Sequence, residues 1–307
     1  MLRIAHVSDL HVISPGRVEW RKILFNKRIT GYANVLLHRG RVYRAGFLSA
    51  VLEAAATSAD QVVITGDITN LALESEYREA RRLIDGVARR AEVTVVPGNH
   101  DIYLPSILRE RRFPSHFATF LASDLPEYAV ELSTGPYPCV KFRGPAAIIA
   151  LSSAVPRPPF IAAGRVGHEQ LAALERILAH PEVRRRTPVI LIHHPPVDGR
   201  HRLAQLRDGL VDAAPLRRAL SPLPRGLVLF GHLHVRVRCT LPTAAGALDA
   251  ICASGAALDH FDPSIRAGFN LYEIDDQGRI VSVQARVIDP AGEGLQPTAI
   301  SERAGCT

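Results

Sequence analysis

Short apolar runs rich in β-branched residues alternate with stretches of helical period over the first 230 residues. The runs fall at 2–7, 61–65, 92–96, 146–151, 189–192 and 226–230. Runs apolar at nearly every position predict strands covered on both faces of a sheet. Helical stretches are predicted near 43–58, 74–90, 105–122, 168–180 and 213–220. Beyond residue 230 the pattern is all strand, at 234–240, 247–253, 269–274 and 279–287. The expected architecture is a layered α/β domain, α/β/α or α/ββ/α, that begins with βαβ units and ends with antiparallel strands. No repeat and no interdomain linker interrupts it, so one domain is expected over 1–289. The last residues, 290–307, are rich in Gly, Pro, Ala and Thr and are expected to form a loose tail.

Composition narrows the class. With 47% hydrophobic and 22% charged residues over 307 positions, wholesale disorder is excluded and a large core can form unaided. A metal in such a chain would serve chemistry rather than folding. No apolar run approaches the roughly 18 residues of a membrane span, and the first residues do not read as a signal peptide. A cytoplasmic location is therefore expected. Cys139, Cys239, Cys252 and Cys306 show no C-x-x-C spacing and are expected to be reduced thiols. The net charge of +7 is concentrated in 14–46, where eight basic residues meet a single acid, Glu19. The remainder is neutral, which argues against a general polyanion-binding surface and shows no nucleic-acid-binding domain.

The chemistry lies at the strand ends. Five runs each pass into a polar signature: Asp9-Leu-His11, Gly66-Asp67, Gly98-Asn99-His100-Asp101, His193-His194-Pro-Pro and Gly231-His232-Leu-His234. Ligands of open α/β sheets bind beyond the carboxyl ends of the strands, so pairing would bring the five loops onto one rim. The glycines suit turns that must approach something closely. Two Asp, one Asn and several His offer oxygen and nitrogen donors without a thiolate, a set suited to Mn, Fe, Zn or Co. A carboxylate such as Asp67 can bridge two cations, and a cation pair can clamp a phosphoryl group. A lone Asp-x-His or Gly-Asp is most often only a turn; five such ends in series are not.

The order Asp-x-His, Gly-Asp, Gly-Asn-His-Asp, His, Gly-His-x-His resembles the calcineurin-like metallophosphoesterases over roughly residues 2–240. The resemblance implies a four-layer αββα sandwich with mixed sheets and two divalent transition-metal ions (Mn, Fe or Zn). It implies that Asp9, His11 and His234 hold one metal, that Asn99, His193 and His232 hold the other, and that Asp67 bridges them. His194 is the alternative to His193. It further implies that His100 contacts the phosphate and assists the leaving oxygen; Asp101 is expected behind His100, orienting it. Asn70 is read as a turn residue or a substrate contact, and His6 as a core residue. The closest likeness is to bacterial cyclic-nucleotide phosphodiesterase relatives, so a small phosphodiester is the expected substrate, hydrolysed by metal-bridged hydroxide. The alternatives are a membrane-surface hydrolase of a lipid-linked diphosphate or phospholipid, and an inactive scaffold of the same fold.

One segment is foreign to this pattern. Phe25, Ile29, Tyr32 and Leu36 share one helical face, with Trp20 at the start and Arg21, Lys22, Lys27 and Arg28 on other sides. A basic helical insertion after the first strand is expected to act as a substrate lid or to bind an anionic membrane surface through 18–40, making the protein peripheral on the inner face.

Overall fold

The computed structural model describes residues 1–13 and 43–303. The predicted basic insertion, with Trp20, Arg21, Lys22, Lys27 and Arg28, lies outside the described residues. The strands, in chain order, are β1 (Leu2–Val7), β2 (Gln61–Ile64), β3 (Glu92–Val95), β4 (Val130–Leu132), β5 (Gly135–Tyr137), β6 (Cys139–Arg143), β7 (Ala146–Ala150), β8 (Thr187–Leu191), β9 (Leu227–Phe230), β10 (Val237–Pro242), β11 (Ala247–Cys252), β12 (Gly268–Ile274), β13 (Ile280–Ile288), β14 (Leu295–Thr298) and β15 (Ser301–Glu302). The helices used below are α1 (Ala45–Ser58), α2 (Glu74–Ala88), α3 (Pro105–Arg109), α4 (Arg112–Phe117) and α5 (His168–Ala179). They are followed by α6 (Pro181–Arg184), α7 (Arg202–Asp208) and α8 (Ala213–Leu220).

Two sheets form the centre. One has the order β14-β13-β12-β1-β2-β3 and the other β15-β10-β11-β9-β8-β7-β6. The parallel units β1-β2-β3 and β7-β8-β9 come from the βαβ parts of the chain; β12 and β6 flank them antiparallel, whereas β11 joins β9 in parallel. Side chains of β7 to β9 alternate between two cores, as a strand's two-residue period requires. Ile148, Leu191 and Leu229 join the core shared with the first sheet and with α1 and α2. Ile149, Ile190 and Val228 face the other way, against Leu174 of α5 and Leu216 and Leu220 of α8. The layers therefore run helix, sheet, sheet, helix. Fully burying each such aliphatic side chain contributes about 1.5–3 kcal/mol. A polar contact crosses between the sheets, from Lys141 Nζ to the Val93 carbonyl at 2.7 Å, and Tyr137 Oη ties the separate β4-β5 hairpin to the Val95 carbonyl at 3.1 Å.

Three expectations need correction. The tail is not loose through 303: β14 pairs with β13 and β15 with β10, so the chain's last described residues join both sheets. The helix predicted at 105–122 breaks at Arg111, whose φ of 48° is left-handed, and resumes as α4. Cys239 is disulfide-bonded rather than a reduced thiol, whereas Cys139 and Cys252 are free and buried. Among the described residues, no helix is long and apolar enough to cross a membrane.

Candidate metal centre

Five strand ends deliver the predicted ligands to one rim. The loops after β1 and β2 continue the ladder beyond the strands: Asp9 N donates to Gly66 O at 3.0 Å and His11 N to Asp67 O at 2.9 Å. Similarly, Gly231 N donates to His193 O at 3.1 Å, which docks the loop after β9 on that after β8. Among the described residues, eight non-glycine residues have positive φ, and five of them are Asp9, His11, Asp67, His232 and His234. Such conformations cost of order 1–3 kcal/mol each and persist where the surroundings over-determine them.

Two clusters result. In the first, one donor atom from each of Asp9, His11, Asp67 and His234 lies within 4.8 Å of the others. His234 Nε2 is 3.2 Å from Asp9 Oδ1 and 3.3 Å from His11 Nε2. In the second, His193, His194 and His232 approach equally closely. His193 Nε2 is 3.2 Å from Asn99 Oδ1 and 3.4 Å from Asp67 Oδ1. The other oxygen of Asp67, Oδ2, is 3.9 Å from His11 Nε2. Asp67 therefore turns one oxygen to each cluster.

The two adjacent histidines separate by their partners. His193 Nδ1 donates to Thr65 O at 2.7 Å, which leaves the Nε2 lone pair directed at the cluster. Both ring nitrogens of His194 are engaged, with Ser153 Oγ and Ala162 O, each at 2.8 Å. His193 is thus the better-placed ligand, and His194 braces the loop behind it.

The electrostatics suit cations. Burial by itself raises the Asp67 carboxyl, yet His193, His100 and His11 hold it well below the usual carboxylate range. Burial likewise opposes ionisation of Asp9, which His234 and His193 hold below its ordinary value. Burial lowers the imidazole of His193, but Asp67 and Asp9 push it up to about 9, so the field there favours positive charge. Burial and then His193 push His232 down to about 4, leaving it neutral as a ligand must be. Asp9 Oδ1 is buried with no hydrogen-bond partner. An orphaned carboxylate oxygen facing imidazole nitrogens is what a cation would satisfy, so the residues present fit a metal pair.

Around this centre several residues differ from expectation. The Asp101 carboxylate is engaged with backbone and Thr69 donors rather than with the His100 ring. It accepts from Thr69 N (2.7 Å), Thr69 Oγ1 (2.9 Å), Gly98 N (2.9 Å) and Ile68 N (3.2 Å), clamping the loops after β2 and β3 together. Burial and then Asp67 push that carboxyl up to about 7 despite these donors. The His100 ring is oriented instead by the Asn70 carbonyl, which accepts from Nδ1 at 2.6 Å. His100 is half-buried and packs edge-on to His11, with ring centroids 4.8 Å apart. His6 is a core residue held by Tyr272 Oη and Thr65 Oγ1, as expected. Two contributors carried no sequence signal. Arg236, fully buried, donates to Asn270 Oδ1 and Pro263 O and anchors the chain just past His234. Tyr43 Oη lies 3.2 Å from His234 Nδ1.

The glycines of the motifs have steric causes. A Cβ on Gly98 would lie 2.2 Å from both N and Oδ1 of Asp67, and one on Gly231 would lie 1.8 Å from Ser8 Oγ. Each loop passes too close to its neighbour for any side chain.

Comparison with known proteins agrees with this geometry. A family model described as calcineurin-like phosphoesterase matches residues 2–236. The chain is 26% identical over 239 residues to the cAMP/cGMP dual specificity phosphodiesterase MT0825 of Mycobacterium tuberculosis (strain CDC 1551 / Oshkosh), covering 77% of this chain and 63% of that protein. It thus spans less than two thirds of that relative's length. Among solved structures it is similar to a dimetal phosphatase from Danio rerio, with a TM-score of 0.54 and 15% identity over 98% of this chain and 99% of that one. It is also similar to purple acid phosphatase PPD1 from yellow lupin (Lupinus luteus) seeds, with a TM-score of 0.61 and 14% identity over 99% of this chain and 54% of that one. At such identities the structural likeness shows the fold, while the family model rests on the chain's own residues. The chain belongs to the calcineurin-like phosphoesterase family.

Proposed function

We propose that the chain is a dimetal phosphodiesterase acting on a small phosphodiester such as a cyclic nucleotide. Asp9, His11 and His234 would hold one divalent transition metal, Asn99, His193 and His232 the other, and Asp67 both. The observation that carries this reading is the split of the Asp67 carboxylate, with Oδ1 toward His193 and Oδ2 toward His11. Two cations so placed supply Lewis-acid charge against a phosphoryl group. The chain's own residues do the rest. Thr65 O fixes the tautomer of His193, Asp101 holds the two ligand loops in register, and His100 stands at the edge of the first cluster. With Nδ1 tied to Asn70 O, His100 can carry a proton on Nε2 to a departing oxygen. The 26% identity to a cAMP/cGMP phosphodiesterase supports the cyclic-nucleotide substrate.

A second reading, an amphiphilic phosphodiester at a lipid surface, is favoured by one feature. Phe160, Leu203 and Leu206 are 78%, 74% and 73% exposed, with Ile161 and Val211 also exposed beside them. They sit in the segments after β7 and β8, joined by Ala162 N to Arg207 O at 2.8 Å and Val211 N to Gly164 O at 3.0 Å. Exposed apolar groups gathered beside a site point to an apolar contact.

One panel tests both. Metal-stripped protein is reconstituted with Mn, Fe, Zn or Co and assayed on cyclic nucleotides, an aryl diester, an aryl monoester and a phospholipid in vesicles. Metal-dependent turnover of cyclic nucleotides above the monoester is the expected result; preference for the vesicle substrate would support the second reading. No turnover with any metal would leave the scaffold reading standing.

His100→Ala is expected to keep both metals and to lose about 10²–10³-fold on an unactivated diester, within the usual range for a general acid. An activated aryl diester, whose leaving group needs little protonation, should lose far less. Equal losses on both substrates would limit His100 to phosphate binding.

A further inference from the structure

The structure assigns Tyr43 as a positioning residue for His234, and through it for the metal held with Asp9 and His11. The assignment rests on the dimetal reading of the centre and adds to it a member that comes from neither a strand end nor a recognised motif.

Tyr43 Oη lies 3.2 Å from His234 Nδ1, on the side of the ring away from the cluster. The other nitrogen, Nε2, faces Asp9 Oδ1 at 3.2 Å and His11 Nε2 at 3.3 Å. For Nε2 to offer its lone pair to a cation, Nδ1 must carry the proton, and that N–H needs an acceptor. The Tyr43 phenol oxygen is in place to accept it. His193 solves the same problem with the Thr65 carbonyl. The Tyr43 ring also meets His11 edge-on at 5.4 Å, so one side chain contacts two of the three residues exclusive to this metal.

The seat of Tyr43 is built rather than incidental. Tyr43 pairs with Leu258 in an antiparallel bridge, Arg44 N donates to Ala257 O at 2.9 Å, and Arg44 Nε meets Asp259 Oδ2 at 3.1 Å. The same loop is tied to the end of β1, through the Ser8–Gly255 bridge and Ala256 N to Ser8 O at 3.1 Å. The phenol is therefore held in register with Asp9, the other side chain that His234 must meet.

The test compares wild type, Tyr43→Phe and His234→Ala, each loaded with Mn and dialysed against graded chelator, with bound metal measured per chain. Tyr43→Phe keeps the ring against His11 and removes the phenol oxygen that faces His234 Nδ1. The expected result is a loss of about 10–100-fold in affinity for one metal equivalent. The second equivalent and the melting temperature of the metal-free protein should stay unchanged. Turnover of a soluble aryl diester should fall with occupancy and return when excess Mn is added, which a packing defect would not allow. Wild-type retention of both equivalents in Tyr43→Phe, with one lost in His234→Ala, would overturn the role of Tyr43 alone. Retention of both in His234→Ala would overturn the assignment of the centre together with it. A lowered melting temperature of metal-free Tyr43→Phe, without rescue by Mn, would reduce Tyr43 to packing and overturn the proposal.

Discussion

Replacing Asp67 by Asn is expected to abolish most turnover and to weaken retention of both metals. The substitution preserves size and removes the one negative charge directed at both clusters. Its effect should be uneven. Asp67 Oδ1 accepts from His100 N at 2.7 Å, so the amide of Asn would keep its oxygen there. Its NH₂ would then face His11, placing a donor where a cation needs an acceptor. The cluster of Asp9, His11 and His234 should lose its metal first. Electrostatic stabilisation of a phosphoryl group by such cations is worth several kcal/mol, and each 1.36 kcal/mol is tenfold in rate, so a loss of roughly 10³-fold or more is expected. Metal analysis with steady-state kinetics decides it. Two tightly bound equivalents with near-normal turnover would remove Asp67 from the shared position.

Alanine at Gly98 is expected to do comparable damage through shape alone. The added Cβ would stand 2.2 Å from Asp67 Oδ1 and 2.8 Å from Asp67 Cγ, so either the carboxylate or the turn after β3 must move. Displacements near 1 Å at a reacting centre cost about 10²-fold. Purified Gly98→Ala should therefore carry less metal and turn over about 10²-fold more slowly. Gly86→Ala is the control. It lies within α2, where the nearest atom to a new Cβ is the Arg89 side chain at 3.6 Å. That change should raise stability by about 0.4–1 kcal/mol and leave metal content alone. If Gly98→Ala matches Gly86→Ala in metal and rate, close approach at Gly98 is not what places Asp67.

The seven proposed ligands are legible because each lies within about four residues of the end of a buried strand. Strand and ligand are then one local signal, and the order of the signals identifies the family. Other parts depend on contacts that no local pattern carries. Strand β6 was missed because Lys141 is buried within it, its ammonium donating to Val93 O and Phe120 O. Strand β14, Leu-Gln-Pro-Thr, has neither alternation nor a continuous apolar run, and it is defined by the edge of β13 that it meets. The hydrogen bonds of Asp101 escape the sequence for a related reason. Adjacency to His100 suggested contact, whereas the side chain turns back to three backbone N–H groups of the neighbouring loops. The Tyr43–His234 contact joins residues 191 positions apart. Between His193 and His194 only the partners of each ring nitrogen discriminate, and these come from the segments after β2 and after β7.

The distribution of the ligands between the two sheets has a consequence for stability. Asp9, His11, Asp67 and Asn99 come from the ends of β1, β2 and β3, whereas His193, His232 and His234 come from the ends of β8 and β9. The first cluster draws on both halves of the sandwich, and so does the second once Asp67 and Asn99 are counted with it, so a cation bound in either would act as a removable cross-link across the seam. Sliding one sheet on the other would break coordination, and losing the cations would withdraw one restraint on sliding. Occupancy and docking are then a single linked equilibrium. A free metal concentration one hundredfold above Kd would stabilise the folded protein by about 2.7 kcal/mol per site. For a fold whose whole margin is of order 5–15 kcal/mol, the supply of metal would, on the proposed reading, set not only the rate of turnover but how long the two halves stay in register.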